Sequence, residues 1–478
     1  MSDAPIIVWF RRDLRLADNP ALAAATESGA PVLPVYILDD ETPGEWAMGG
    51  ASRWWLHHTL ERLSAAFGQR NNRLILRKGH AASVLDGLIS ETGAQGVYWN
   101  RIYDPAEIDR DRDIKADLGE RDLDVQSFRG NLAFEPWVIK TKDDGPYRVF
   151  SPFLKACLNA DPPAEPLPVP EGIGVPDAFP DSDALDDWHL LPTKPDWAGG
   201  LRESWTPGEA GAMARFERFI DGDLSDYAKG RNYPDRDVTS RLSPHLHFGE
   251  ISVNQIWQKL DFAEKEGARS IGKFRSEVVW REFSHHLLFH YPTLPEENWR
   301  EQFDEFPWRE DEAGLKAWQK GRTGYPLVDA GMRELWHTGY MHNRVRMVVA
   351  SFLIKHLMVH WKHGEAWFWD TLCDADLANN AASWQWVAGS GADAAPYFRI
   401  FNPIKQGQDY DPKGTYIRRW VPEIADLPDK HLHEPWNAPD DVLEQAGIVL
   451  DDTYPRPIVD HATARKRALD GYDQIKKG

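Results

Sequence analysis

Ile6-Ile7-Val8-Trp9-Phe10, then Asn19-Pro20, then Val32-Leu33-Pro34-Val35-Tyr36-Ile37-Leu38, read as a strand, a helix start and a second strand. Asn19 is a preferred N-cap and Pro20 a preferred first-turn residue, so a helix opens over 21–27 and closes at Gly29. Asp39-Asp40 falls at the carboxyl end of the second strand. Further strands fit 73–76, 96–99 and Asp124–Phe128, with helical stretches between them. Strands that alternate with helices pair in parallel and are covered on both faces, which predicts a Rossmann-like α/β sheet. No G-x-G-x-x-G follows the first strand, so the dinucleotide fingerprint is absent. A ligand in this part is expected at the carboxyl ends of the strands.

A chain of 478 residues is too long for one ordinary core. The α/β pattern predicts one domain over 1–135. Seven prolines between Asp161 and Pro180 remove backbone donors and fix φ, so 136–204 reads as a connector able to wrap the surface. Residues 205–478 turn helical, with helices expected over 208–221, Ile271–His290, 329–337, 343–361 and 364–372. The expected architecture is an α/β domain joined by a long linker to an all-α domain, without internal repeats.

Composition excludes several classes. Two cysteines, Cys157 and Cys373, are too few for an all-Cys zinc or iron–sulfur site, and nothing pairs them. No window of 18 apolar residues could span a bilayer. The start, Met1-Ser2-Asp3-Ala4-Pro5, lacks a basic region before an apolar one, so the expectation is a cytosolic protein that is not secreted. A net charge of −20 argues against a polyanion partner, yet the charge is unevenly spread. Residues 339–362 hold no Asp or Glu but carry Arg344, Arg346, Lys355 and Lys362; five basic residues between Arg399 and Trp420 face only Asp409 and Asp411. A local basic patch of this kind can bind nucleic acid.

The residue types with chemical potential are concentrated. Asp374-Ala375-Asp376-Leu377-Ala378-Asn379-Asn380-Ala381-Ala382-Ser383-Trp384-Gln385-Trp386 crowds two carboxylates, two amides and two of the 22 tryptophans into thirteen residues. That mixture suits a large planar ligand with polar edges. Glu277 and Arg281 lie one turn apart on a helix, so they form either a salt bridge or a pocket rim beside Trp280. Arg346 precedes a strongly apolar run, and a buried guanidinium needs an anion: Asp374, Asp376 or a cofactor diphosphate. Asn343 and Met347 share its face. Thr239, Ser240 and Ser243 can cap a helix or meet an anion at its start. His245, His247, His285 and His286 show no metal-ligand spacing, and no metal site is expected.

These stretches carry a resemblance. Trp9-Phe10-Arg11-Arg12-Asp13-Leu14-Arg15-Leu16, Thr239-Ser240-Arg241-Leu242-Ser243, Trp280-Arg281-Glu282-Phe283, Gly339-Tyr340-Met341-His342-Asn343-Arg344-Val345-Arg346-Met347 and Asp374 through Ile404 together resemble the DNA photolyase and cryptochrome family. Within it the chain is most like the bacterial cyclobutane pyrimidine dimer photolyases. The resemblance implies an α/β antenna domain and a helical domain that holds non-covalent FAD. It implies cofactor contacts from Tyr227, Thr239, Ser240, Leu242, Ser243, Glu277, Arg281, Asn343, Arg346, Asp374, Asp376 and Asn380, with Asn380 near flavin N5. Trp384, Trp361 and Trp308 match the electron-transfer tryptophans. Glu277, Trp280, Arg344, Met347, Trp386 and Arg231 match the positions around a flipped-out dimer, which stacks and pairs poorly and so costs less to extrude. Arg344, Arg399, Lys405 and Arg418 are expected on the DNA backbone, giving affinity without sequence readout.

The reaction implied is light-driven dimer cleavage by electron transfer from excited FADH⁻, in single- or double-stranded UV-damaged DNA, by a monomer with no membrane partner. As antenna the resemblance favours 5,10-methenyltetrahydrofolate over 8-hydroxydeazaflavin or none, although 36–55 does not decide it. Ala381-Ala382-Ser383 also departs from the Gly found there in many relatives. A blue-light signalling cryptochrome is the alternative; the lack of a long tail after His433 and the presence of Trp280, Met347 and Trp386 favour repair. A (6-4) photolyase is disfavoured by this dimer-type pocket, and a non-catalytic flavoprotein that binds nucleic acid is the reading from another class.

Overall fold

The computed structural model describes residues 4–393 and 398–476; Met1-Ser2-Asp3 of the amino terminus and 394–397 of the matched 374–404 stretch lie outside the described residues. Five parallel strands form one sheet in the order β3-β2-β1-β4-β5: β1 Ile6–Phe10, β2 Val32–Leu38, β3 Ile75–Lys78, β4 Gly96–Asn100 and β5 Asp124–Phe128. The third strand starts two residues later than the sequence suggests. Ile6 pairs with Val32 on one side and Gly96 on the other, which makes β1 the centre. Every residue of β1, β2 and β4 is buried, because helices cover both faces. Val8 and Phe10 pack toward the Gly50–Gly68 helix, Ile7 and Trp9 toward Ala81–Thr92. Asn19 caps the Pro20–Glu27 helix as expected, its side-chain oxygen accepting the Leu22 N–H at 3.1 Å.

Just beyond β1, the charged part of Trp9–Leu16 is folded inward. Arg15 is 1% exposed and donates to three carbonyls, those of Asp18 (2.6 Å), Gly130 (2.7 Å) and Gly249 (2.8 Å). Arg11 reaches Asp111 (2.5 Å) and the Asn100 carbonyl, while Arg12 pairs with Asp104 (2.7 Å). Gly249 belongs to the helical part, so this knot fastens the two parts of the chain together. A second tie runs through Glu250, whose carboxylate accepts from Trp55 Nε1 (2.9 Å) and Thr59 Oγ1 of the Gly50–Gly68 helix and faces His245.

The proline-rich stretch forms no long helix and lies along the sheet. Gly174 O accepts the Val32 N–H (2.9 Å), and Ser182 Oγ accepts the Leu76 N–H (2.9 Å). The interval 136–204 is not irregular throughout: the Phe150–Asn159 helix buries Phe150, Phe153 and Cys157 in the core of the helical part. Cys157 and Cys373 are both free and buried.

The helical part packs Ile271–His290, Pro326–Thr338, Asn343–Ser351, Trp361–Thr371 and Leu377–Ala388 around one core. The single helix expected over 343–361 is broken. A wide π-type turn spans Phe352–Leu357 with all six residues buried, Met358 is left-handed at φ 59°, and His360 caps a new helix at Trp361. Lys355 therefore does not contribute to a basic surface. It is 1% exposed, its Nζ donates to the Arg399 carbonyl at 3.0 Å, and burial lowers its pKa to about 7.

Gly249 has φ +65°, and a Cβ there would collide with the Arg12 backbone carbonyl. Gly249→Ala should therefore cost about 2–3 kcal/mol by strain and by loosening the Arg15 knot. A urea-unfolding midpoint lowered by that free energy divided by m, with m unchanged, is the expected result.

Candidate functional site

A cavity of about 580 Å³ opens in the helical part, inside the roughly 300–1,000 Å³ range of small-molecule and cofactor pockets. Four separate stretches build it. Tyr227, Thr239, Ser240, Leu242 and Ser243 bring hydroxyls and an aromatic ring; the Ile271–His290 helix brings Glu277, Trp280 and Arg281. Asn343, Arg346 and Met347 come from the start of the Asn343–Ser351 helix. Asp374, Asp376, Asn380, Trp384 and Trp386 come from the segment that enters and forms the Leu377–Ala388 helix, with Ala382 and Ser383 also in the wall. Residues up to 159 positions apart in sequence thus face one space, because the helices cross there.

Each charge in the wall has a partner. Glu277 receives both terminal nitrogens of Arg231 (Nη2 at 3.0 Å) and Lys273 Nζ at 2.8 Å. The Glu277–Arg281 bridge allowed by the spacing is not made; Arg281 donates to the Asn131 carbonyl at 3.0 Å instead. Burial works against the Arg231 charge, but the Glu277 carboxylate outweighs it and the guanidinium pKa rises. Of the three anions the sequence offers Arg346, Asp374 takes it at 2.9 Å, with the Met341 carbonyl at 2.7 Å. Burial again opposes the charge and Asp374 overcomes it. Asp376 caps the Leu377–Ala388 helix by accepting the Asn379 N–H at 2.9 Å.

Spacing found some wall residues and not others. Lys273, one turn before Glu277, was legible in principle. Arg241 and Tyr340 stand inside quoted motifs: Arg241, left-handed at φ 48°, and Arg346 lie over the Tyr340 ring at 5.2 and 5.1 Å. Glu365, behind the wall, had no signal. Its backbone carbonyl accepts the Asn380 amide at 3.0 Å, and its buried carboxyl is pushed well above the usual range by desolvation. The other residues singled out lie outside the wall. Arg344 stacks on Tyr410 (3.7 Å) and donates to Asn232 (2.6 Å), next to Arg231. Arg399 is exposed over Phe401, and Lys405 pairs with Asp409 at 2.5 Å. Arg418 is turned to its own neighbourhood, donating to the Ala425 and Leu427 carbonyls and to Asp429 (2.7 Å).

Trp384 and Trp361 are 2% and 0% exposed, while Trp308 is partly exposed, so the three run from cavity wall toward solvent. Trp384 rests on Gly364, one turn after Trp361, where a Cβ would strike the indole. His360, next to Trp361, lies 4.7 Å from the Trp308 ring. At the carboxyl ends of β1 and β2 the space is small. Arg11 and Arg110 lie over the Trp9 ring at 4.5 and 4.8 Å, and the crevice there is about 80 Å³.

A buried wall with a partnerless polar atom at Asp374 Oδ1 calls for a ligand rich in donors and acceptors. Rings, amides and a hydroxyl cluster add the complement of a flavin with a diphosphate arm. Fold and cavity together define a two-part flavoprotein. A family model described as DNA photolyase matches 6–171, and one described as the FAD binding domain of DNA photolyase matches 274–474. The chain is 53% identical over 478 residues to the deoxyribodipyrimidine photo-lyase of Agrobacterium fabrum, covering 100% of this chain and 99% of that one. It is 40% identical to cryptochrome-2 of Arabidopsis thaliana, over 97% of this chain and 78% of the relative. The solved structure of a bacterial class III photolyase from Agrobacterium tumefaciens superposes at a TM-score of 0.97 and 53% identity, covering 100% and 99% of the two chains. A Synechocystis cryptochrome structure gives 0.89 at 30% identity, covering 98% and 100%. The chain belongs to the DNA photolyase and cryptochrome family, and its cofactor is FAD.

Asp374→Ala would leave the Arg346 guanidinium in the wall without its anion, at a cost of about 3 kcal/mol. Purified variant should show a lower flavin-to-protein absorbance ratio and a lower Tm than the parent.

Proposed function

We propose that this chain is a deoxyribodipyrimidine photo-lyase that splits cyclobutane pyrimidine dimers in DNA under light. The observation that carries the reading is a single cavity wall combining the FAD-type contacts with partly exposed Trp280, Met347 and Trp386 beside Glu277. When bound, reduced FAD supplies the photoexcited electron that opens the cyclobutane ring and recovers it afterwards. The rest falls to the chain. Trp280, held flat against Phe150 at 3.6 Å, and Trp386 offer faces to a flipped-out dimer. Glu277 hydrogen-bonds the bases, and Arg231 and Lys273 hold its carboxylate in place.

Thr239, Ser240 and Ser243 take the diphosphate, Tyr227 and Leu242 support it, and Asn343, Arg346, Asp374 and Asp376 hold the remaining polar edges. Asn380 offers its amide near the reactive flavin edge, and Arg281 packs alongside. Trp308, Trp361 and Trp384 pass an electron in that order, from the surface toward the flavin, for photoreduction. Arg344, Arg399 and Lys405 contact DNA phosphates; Arg418 braces its loop and contributes there only indirectly. In domain terms, 1–135 is the antenna domain, 136–204 joins it, and 205–478 holds cofactor and DNA. The protein acts as a cytoplasmic monomer on UV-damaged DNA; among the described residues no helix is long and apolar enough to cross a membrane.

Chemically reduced holoprotein, incubated with a UV-irradiated thymine oligonucleotide, should remove dimers under blue light and none in darkness. Glu277→Ala combined with Trp280→Ala should abolish the loss while flavin stays bound. Dimers that persist in the light despite bound, reduced FAD would move the assignment to a signalling cryptochrome or another lesion. Gly364→Ala should displace the Trp384 indole, so light-driven flavin reduction, followed by absorbance, slows at least tenfold while prereduced enzyme still repairs.

A further inference from the structure

Asp376 is held on both oxygens, and the repair reaction leaves its supports unassigned. Oδ1 accepts from the Asn379 backbone (2.9 Å) and the Asn379 side-chain amide (2.6 Å). Oδ2 faces two imidazoles, His247 Nδ1 and His285 Nε2, each at 3.5 Å. All three side chains are buried, at 5–6% exposure. His247 arrives on the short Ser243–His247 turn and His285 on the Ile271–His290 helix, so the cluster joins three of the stretches that build the cavity.

The proton count on His285 follows from its other nitrogen. Nδ1 lies 3.0 Å from the Arg281 carbonyl oxygen, which only accepts, so Nδ1 carries a proton. A neutral ring with its proton there would aim the Nε2 lone pair at a carboxylate, acceptor against acceptor in a buried place. A second proton on Nε2 removes the conflict and makes the ring a cation. Moving that proton to Asp376 is unfavourable. Burial pushes its carboxyl up, but His285 and His247 outweigh burial and hold it well below the usual carboxylate range. His247 differs: burial lowers its pKa, and a neutral ring whose Nδ1 faces Asp376 can offer its N–H there. The remaining charges around the cluster are paired. Arg12 lies against Asp104 (2.7 Å) and Glu107 (3.3 Å), and Arg281 is 3.5 Å from Glu282.

We propose that His285 is a doubly protonated positioning residue of the FAD site. Its imidazolium keeps Asp376 ionised as the cap of the helix that carries Asn380, Trp384 and Trp386, and it places a fixed positive charge behind the cofactor. A buried cation stabilises the added negative charge of a reduced flavin more than it does the neutral oxidised form. His285 therefore raises the flavin midpoint potential, whereas neutral His247 orients Asp376 without doing so. The inference rests on FAD as the occupant of the cavity, which the visible spectrum of the purified holoprotein reports separately.

Neutron diffraction from crystals of deuterated holoprotein at pH 7 reads the protons directly. Deuterium on both nitrogens of His285 is the expected result, and an undeuterated Nε2 facing Asp376 would overturn the proposal. Dye-coupled redox titration then compares parent, His285→Gln, His285→Lys and His247→Gln, each with its flavin content measured. The midpoint should become more negative in His285→Gln, recover in His285→Lys and stay at the parent value in His247→Gln. An unchanged midpoint in fully flavinated His285→Gln refutes the charge role. Should that variant lose flavin, the neutron map of the unaltered protein decides alone.

Discussion

A guanidinium taken out of water must find an acceptor for its N–H groups, and Arg15 meets that demand only where the two parts of the chain touch. Its carbonyl acceptors come from the loop after β1, from Gly130 after β5 and from Gly249 in the helical part. Each donor left unmet would cost about 1–3 kcal/mol, so the three segments are bound to one geometry. Gly249 can approach because it has no side chain, and its neighbours His247 and Glu250 are carried into register with it. The position of Asp376, and of the helix it caps, follows from that register through His247. The sheet thus acts as an anvil for the cofactor cavity even though the cavity lies outside it.

Inside the cavity wall, the same rule governs the carboxylates. Glu277 is matched by Arg231 and Lys273, Asp374 by Arg346, and Asp376 by two imidazoles. A buried ion pair adds little net stability, but removing one member is costly. Such pairing keeps donors and acceptors aimed at fixed points before a cofactor arrives, which is the preorganisation that electron-transfer chemistry uses. Glu365 takes the other course. Buried behind the wall with no ion pair among the described residues, its carboxyl is pushed well above the usual range by desolvation, which favours the neutral acid.

The tryptophans divide by environment. Trp9, Trp54, Trp55, Trp99 and Trp318 are core, fully buried in one hydrophobic cluster or another. Trp280 and Trp386 retain exposure at the wall, and Trp308 retains it at the far end of the line through Trp361. Indole is apolar enough to fill a core and polarisable enough to stack on a base or pass charge; the protein uses it in each way according to what surrounds it.

Local physics alone determined much of this molecule. Short apolar runs, the Asn19-Pro20 helix start and the proline-rich interval foretold a parallel sheet, a surface-hugging connector and a helical remainder, since strand burial and capping depend on neighbours in sequence. The motif residues around 239–243, 277–281, 343–347 and 374–386 also announced a site, because unusual side chains cluster there. Tertiary structure alone decided the rest. It chose Asp374 over Asp376 for Arg346, gave Glu277 to Arg231 and Lys273, broke 343–361 at Met358, buried Lys355 and turned Arg418 away. It also set Glu365, from an ordinary helix position, behind the wall against Asn380. Spacing along a chain says which residues share a face; which charge answers a buried charge depends on helices brought together across tens of residues, and only packing settles that.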